Sequence, residues 1–120
     1  MNESVLSVKS FDFSLNIIKV YKYLVSEKNE FVLSKQLLRS GTSIGANIRE
    51  GYSAESRRDF LHKMNIALKE ANETEYWIEL LIKSGYFDSY NIKEELNRCK
   101  EICKMLNSTV KTLKQATDGR

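Results

Sequence analysis

The sequence contains no proline. A chain of 120 residues at average usage, about 5%, would carry several. Proline interrupts helix interiors because it lacks the N–H and clashes with the preceding turn, so its absence favours long helices with short connections. Long apolar runs are missing as well. No stretch approaches the ~18–20 residues that cross a bilayer, and the N-terminus lacks a charged segment followed by an apolar one. The expectation is a mature, soluble, cytoplasmic chain with no membrane partner.

Histidine occurs once, at His62, and cysteine twice, at Cys99 and Cys103 in "CKEIC". A structural zinc site draws four ligands, and His62 has no second histidine or CxxC nearby. The two thiols, one helical turn apart, read as buried and reduced. Nucleophilic catalysis needs a base beside a serine, cysteine or threonine, and no nucleophile-elbow motif is present. Glu70, Glu73, Glu75 and Glu79 crowd one segment, but di-iron bundles use Glu-x-x-His on two helices, which a lone histidine cannot supply. These acids read instead as solvated or paired with cations from neighbouring helices. An enzyme or metalloprotein is therefore not expected, and no cofactor is called for.

What is present is a globular balance, 42% hydrophobic and 29% charged, with a net charge of +3. That length and composition suit a single domain over residues 1–120. Apolar residues recur at spacings of three and four and divide the chain into four helices at about 8–27, 31–54, 56–84 and 89–116. In the first, Phe13, Ile17, Val20 and Leu24 form a seam that Ile18, Tyr21 and Val25 widen. In the third, Ser56 is placed to cap the N-terminus with Asp59 three residues on. Phe60, Met64, Ala67, Ala71, Thr74, Ile78 and Leu81 make its seam, flanked by Leu61, Leu68 and Ile82, and Gly85 is its expected stop. The fourth carries Ile92, Leu96, Cys99, Cys103, Leu106, Val110 and Leu113, and "ATDGR" reads as a frayed end. The period and the short connections predict an all-α, up-and-down antiparallel four-helix bundle.

The segment "GTSIGANIREG", Gly41 to Gly51, has the glycine density of a ligand loop but not its spacing. Neither G-x-x-x-x-G-K-[ST] nor G-x-G-x-x-G is present, and no strand precedes it. Leu37, Gly41, Ile44, Ile48 and Gly51 keep helical phase instead. Two interior glycines cost about 1 kcal/mol each relative to alanine, which suggests that Gly41 and Gly45 admit a neighbouring helix at close range, where dispersion contacts offset the loss. Ser40, Ser43, Ala46 and Asn47 fall away from that stripe, beside Arg39 and Glu50. Short polar side chains there suit either a second packing surface for another chain or a serine-rich solvated face.

"LLRSGTSIGANIREGYSAESRRDFLHKMNIALKEANETEYWIELLIKSGYF" resembles the bacterial four-helix-bundle proteins encoded by intervening sequences of 23S rRNA genes. Arg39, Ser43 and Ile44 match the first part of that family's pattern. Asn47, Ile48, Glu50 and Gly51 match its Asn-Ile-x-Glu-Gly, with Arg49 where alanine is usual. Phe60, Ala67, Glu73 and Glu75 fit its third helix. The tight match covers the middle half of the chain. The resemblance implies a ring-shaped homo-oligomer, a pentamer. The expected assembly runs through the faces of the second and third helices, with Arg39, Gly41, Ser43, Gly45, Asn47, Glu50, Gly51, Glu73 and Glu75 serving packing and assembly. It also implies kinship with accessory proteins of diversity-generating retroelements, where a basic barrel binds nucleic acid and a reverse transcriptase.

Cations carry the remaining signal. Arg98, Lys100, Lys104, Lys111 and Lys114 lie along the fourth helix against Glu101, and Arg57 and Arg58 sit at the turn into the third, near Arg49. Such groups neutralise phosphates and make binding salt-dependent, and ring symmetry would join local patches into a belt. The same lysines could equally solvate an outer face. Tyr76, Trp77, Tyr86 and Tyr90 read as packing or interface residues rather than stacking platforms. The expected function is a non-catalytic accessory protein that associates with RNA or DNA. The alternative is a protein-interaction scaffold with no affinity for nucleic acid.

Overall fold

The computed structural model describes residues 4–118, and all four helices form: α1 Val5–Lys28, α2 Leu33–Gly51, α3 Arg57–Lys83 and α4 Lys93–Asp118. They lie side by side in a body of 52 × 26 × 22 Å, with α2 packed between α1 and α3, and α4 returning against α3 and, more sparsely, α1. Antiparallel register is visible in the cross-helix pairs. Gly41 meets Ile17 while Gly45 meets Ser10, and Arg39 meets Glu70 while Glu50 meets Lys63. The up-and-down bundle read from periodicity is the fold.

The helix ends show which local rules were sufficient. Ser56 caps α3, its side chain accepting the Asp59 N–H at 3.1 Å. At the other end Gly85 takes φ 83°, and the Gly85 and Tyr86 amides return to the carbonyls of Ile82 and Leu81 at 3.0 and 3.2 Å. That pair is a Schellman stop, and the left-handed glycine makes it possible. α1 starts at Val5 rather than residue 8, because Ser4 accepts the Ser7 N–H at 3.0 Å and caps a turn that periodicity missed.

α2 is shorter than expected at both ends, starting at Leu33 and stopping at Gly51, where the chain turns toward α3. Its start depends on a cap of unusual chemistry. Asn29 adopts φ 52°, and the Glu30 carboxylate then accepts the N–H groups of Val32, Leu33 and Ser34 at 3.3, 3.0 and 2.6 Å. Burial alone would raise the Glu30 carboxyl, but these three donors outweigh it and hold the group below its ordinary value. α4 begins at Lys93 rather than 89 because Phe87 and Tyr90 turn back onto Tyr23 of α1, with ring centroids 6.2 and 4.8 Å away. It runs on through Asp118, past the expected 116. Gly119 and Arg120, the tip of the frayed end read from "ATDGR", lie outside the described residues, as do residues 1–3.

The seams form the core. Phe13, Ile17, Val20 and Leu24 of α1 are buried, as are Met64, Ala67, Ala71, Thr74, Ile78 and Leu81 of α3 and Cys99, Cys103, Leu106 and Val110 of α4. Two assignments change. Ile18 does not widen the α1 seam but stands 36% exposed on the outer face. Ser40, placed on the polar side of α2, is fully buried against α3, where a 2.9 Å hydrogen bond joins the Thr74 hydroxyl to its own. The α2–α3 approach is close enough that Ser40 falls between the helices instead of beside them.

Candidate nucleic-acid interface

Helical geometry sorts the charges of α4 onto two sides. At about 100° per residue, Lys93, Lys100, Lys104, Lys111 and Lys114 share one face, with Asn97 and Asn107 among them. All seven are exposed. From Lys93 to Lys114 the stripe extends ~32 Å at ~1.5 Å per residue, and no acid interrupts it. The three glutamates of the helix are on the α1 side and are engaged. Glu94 and Glu95 hold Arg98 at 3.4 and 2.6 Å, and Glu101 meets Lys9 at 3.3 Å. None of the five stripe lysines has an ion-pair partner among the described residues.

α3 lays a second stripe next to it. Arg58, His62, Asn65, Lys69, Asn72, Tyr76, Glu79 and Lys83 recur at three- and four-residue spacing, and all are exposed. Tyr76 and Lys83 of this row line a common groove with Lys93 and Leu96 of α4, so the two rows border one face. Its composition is cations, amides, one histidine, one tyrosine and a single carboxylate, Glu79. Because the helices are antiparallel, Arg58 lies at the same end of the bundle as Lys111 and Lys114.

The expected phosphate-binding residues therefore divide. Lys100, Lys104, Lys111 and Lys114 come together, and Arg57 and Arg58 stand exposed at the near end of α3. Arg98 does not join them, being pinned by Glu94 and Glu95 on the opposite flank. Arg49 is also elsewhere, lying 5.5 Å above the Phe11 ring in the α1–α2 groove. Lys93, Lys69 and Tyr76 were absent from the expected set. The seven-, four-, seven- and three-residue steps from Lys93 to Lys114 were the signal for the first.

The motif residues of α2 and α3 work mostly inside the chain. Arg39 donates to Glu70 at 3.2 Å and pairs with Glu73, which also accepts the Trp77 indole N–H at 3.0 Å. Glu50 pairs with Lys63 at 2.7 Å. Ser43 and Asn47 donate to carbonyls of their own helix, those of Arg39 and Ser43, at 2.6 and 2.8 Å. A Cβ on Gly41 would stand 2.9 Å from Ile17, and one on Gly51 would stand 2.7 Å from Met64, so both glycines admit a neighbouring helix. Glu75 faces the Cys103 thiol at 3.8 Å. Both cysteines are buried and free. The Cys99 thiol donates to the Ala71 carbonyl at 3.4 Å, and its donation toward Cys103, with burial, holds it protonated above its ordinary value.

The sequence pattern of the 23S rRNA-intervening sequence proteins matches residues 3–108. The chain belongs to that family. Its α-helical bundle is similar to the crystal structure of a protein of unknown function from the S23 ribosomal protein family of Bacteroides thetaiotaomicron VPI-5482. That chain is 56% identical, with a TM-score of 0.86 over 89% of this chain and 99% of the other. No curated protein matches significantly. The family match ends before Lys111 and Lys114, so the far end of the lysine stripe lies outside it. Among the described residues no helix is long and apolar enough to cross a membrane.

Proposed function

We propose that this family member is a non-catalytic, homo-oligomeric accessory protein that holds RNA or DNA through backbone phosphates. One observation carries the reading: the α4 face from Lys93 to Lys114 presents five lysines without an acid among them, while the glutamates of the same helix are spent on Arg98 and Lys9. A merely solvated helix face mixes both signs to gain i,i+4 pairs. A one-signed row along ~32 Å forgoes those pairs and instead matches a polyanion.

Self-association is the second part of the reading. Val8, Phe11, Leu15 and Ile18 form another three–four–three seam on the outer side of α1, exposed by 43, 50, 47 and 36%. Phe11, Leu15 and Ile18 of that seam line a groove of about 430 Å³ with Thr42, Ala46 and Arg49 of α2. A contiguous apolar stripe of this kind marks an interaction surface, and its occupant in this reading is a second copy. This reading therefore assembles the protein through α1 and its groove with α2 rather than through the second and third helices. The ring, the pentamer and a reverse transcriptase partner, implied by the resemblance, are its further extensions. The alternative, a scaffold without nucleic-acid affinity, retains the α1 face and gives the lysine stripe no partner.

Fluorescence anisotropy with mixed-sequence RNA and DNA across a salt series separates the two. Binding is expected at ~50 mM salt and should weaken steeply as salt rises. Changing Lys100, Lys104 and Lys111 together to Glu should reduce the log–log salt slope by about 2 on single strands, at ~0.7 per phosphate contact. Absence of binding at ~50 mM salt overturns the nucleic-acid reading. A monomer in sedimentation at micromolar concentration overturns the assembly.

A further inference from the structure

Tyr76 is the exposed aromatic of the α3–α4 face, 57% accessible in mid-helix. Its ring is not adrift: Trp77 holds it edge-on, with centroids 5.2 Å apart and planes at 68°. The Trp77 indole is itself tied to Glu73, which Arg39 holds in turn. Beside Tyr76 runs a groove of about 480 Å³, floored by Leu80 and Leu96 and bordered by Lys83, Lys93 and Glu79. The volume falls within the range of small-ligand sites, roughly 300–1,000 Å³. An anchored ring with an open face above an apolar floor, inside a basic field, is the arrangement that single-strand binders use to stack bases while cations follow the backbone.

We infer that this groove is a stacking site for an unpaired nucleobase of single-stranded RNA or DNA, with the adjoining phosphates on Lys83, Lys93 and Lys100. The inference rests on the nucleic-acid reading above and narrows it from any polyanion to a strand with free bases. Charge decides the occupant. Cations on both banks disfavour a basic peptide or a second copy of this lysine face. The one carboxylate in the lining, Glu79, repels phosphate from the groove itself, so the backbone is directed to the rim and the base to the floor. Glu79 also accepts from the exocyclic amine of cytosine or adenine, as carboxylates do at base edges. A duplex keeps its bases stacked on one another and gains only the phosphate contacts.

The test uses the full-length protein, a fluorescein-labelled single strand, an abasic strand of the same length and a blunt duplex, each titrated by anisotropy. Trp77, the sole tryptophan, reports from the neighbouring position. Tyr76→Ala should weaken single-strand binding by about 5- to 100-fold, leaving duplex affinity and both salt slopes unchanged. Tyr76→Phe should restore it, the abasic strand should bind wild type as weakly as the ordinary strand binds Tyr76→Ala, and the base-bearing strand alone should change Trp77 emission. The Lys100, Lys104 and Lys111 charge reversals should weaken every nucleic acid together. If Tyr76→Ala leaves single-strand binding intact, or weakens single strand and duplex equally, the stacking site is overturned while the phosphate reading survives. If Tyr76→Ala instead changes the particle mass without changing affinity, the groove is a subunit contact and the inference fails. If wild type binds none of the three at ~50 mM salt, the underlying reading fails with it.

Discussion

Gly41 and Gly45 lie one turn apart on α2 and both face α1, yet alanine should act in opposite directions at the two positions. At either site the new methyl removes the glycine penalty in a helix interior, a gain of about 1 kcal/mol. At Gly45 the added Cβ would stand 3.4 Å from the nearest atoms, the carbonyl and hydroxyl oxygens of Ser10, which is ordinary contact. Most of the gain should survive. At Gly41 it would stand 2.9, 3.0 and 3.3 Å from Cγ2, Cγ1 and Cβ of Ile17. Ile17 is fully buried and, as a β-branched residue in a helix, holds one χ1 rotamer, so it cannot swing aside. Overpacking of this kind costs about 1–3 kcal/mol and exceeds the propensity gain. The net expectation is about 1 kcal/mol of destabilisation for Gly41→Ala and somewhat under 1 kcal/mol of stabilisation for Gly45→Ala. At about 3–5 °C per kcal/mol for a chain of this length, the two melting points should differ by roughly 6–10 °C. Urea and thermal unfolding at one fixed protein concentration measure this, because self-association would otherwise make Tm concentration-dependent. In an Ile17→Ala background the Gly41→Ala penalty should vanish. If Gly41→Ala stabilises the protein as much as Gly45→Ala, the close approach of α1 and α2 is not what the glycine serves.

Other perturbations address the caps and the buried polar groups. Glu30→Ala should cost about 1–2 kcal/mol at neutral pH by freeing three amides of the α2 N-terminus. Because the folded carboxyl lies below its ordinary value of 4.5, this contribution is present above that value and fades as pH falls through the folded pKa. The gap between variant and wild type in urea should thus close in acid, and a gap that widens would refute the cap. Glu95 behaves oppositely: burial raises its carboxyl above 4.5 against the lowering influence of Arg98, and its Oε1 has no hydrogen-bond partner among the described residues. Its proton is held more tightly in the folded state, so wild type should gain stability relative to Glu95→Gln as pH is lowered from 7 toward 4.5, and the reverse trend would contradict the burial. Ser40→Ala should cost about 1 kcal/mol in the same assay by removing the bridge to Thr74, and a neutral result would return Ser40 to the surface. Phe11→Glu with Leu15→Glu should reduce the mass of the sedimenting particle while leaving helix content by circular dichroism unchanged; an unchanged mass would show that the α1 seam joins no second copy.

Much of this molecule was legible because helical phase is a local property. A residue and its i+3 and i+4 neighbours share a face whatever surrounds the helix, so the seams of Phe13 to Leu24 and Met64 to Leu81 could be read without coordinates. The same holds for the Ser56 cap and the Gly85 stop, whose hydrogen bonds span only a few residues. Glu30 escaped because a glutamate caps poorly by type, and this one does so only after Asn29 has turned the chain through a left-handed conformation. Ile18 and Ser40 were misplaced because both sit at the edges of their stripes. At an edge, burial depends on how near the next helix comes, and α2 lies close to α3 at Ser40 while Ile18 stays 36% exposed on the outer side of α1. Arg98 looked like its neighbours Lys100 and Lys104 in the sequence, and only the geometry of α4 placed it with the acids on the other flank.

The sequence by itself determined four helices, their core faces, their up-and-down order and the family, because periodicity, capping chemistry and motif spacing act within a few turns of chain. The tertiary structure alone decided which of the remaining faces are covered. It turned Gly41 and Gly45 toward α1, and Ser40 and Gly51 toward α3, and it set Lys93 of α4 beside Tyr76 of α3. Residues far apart in the chain acquire a shared surface only when the helices that carry them pack, and on that surface the proposed function depends.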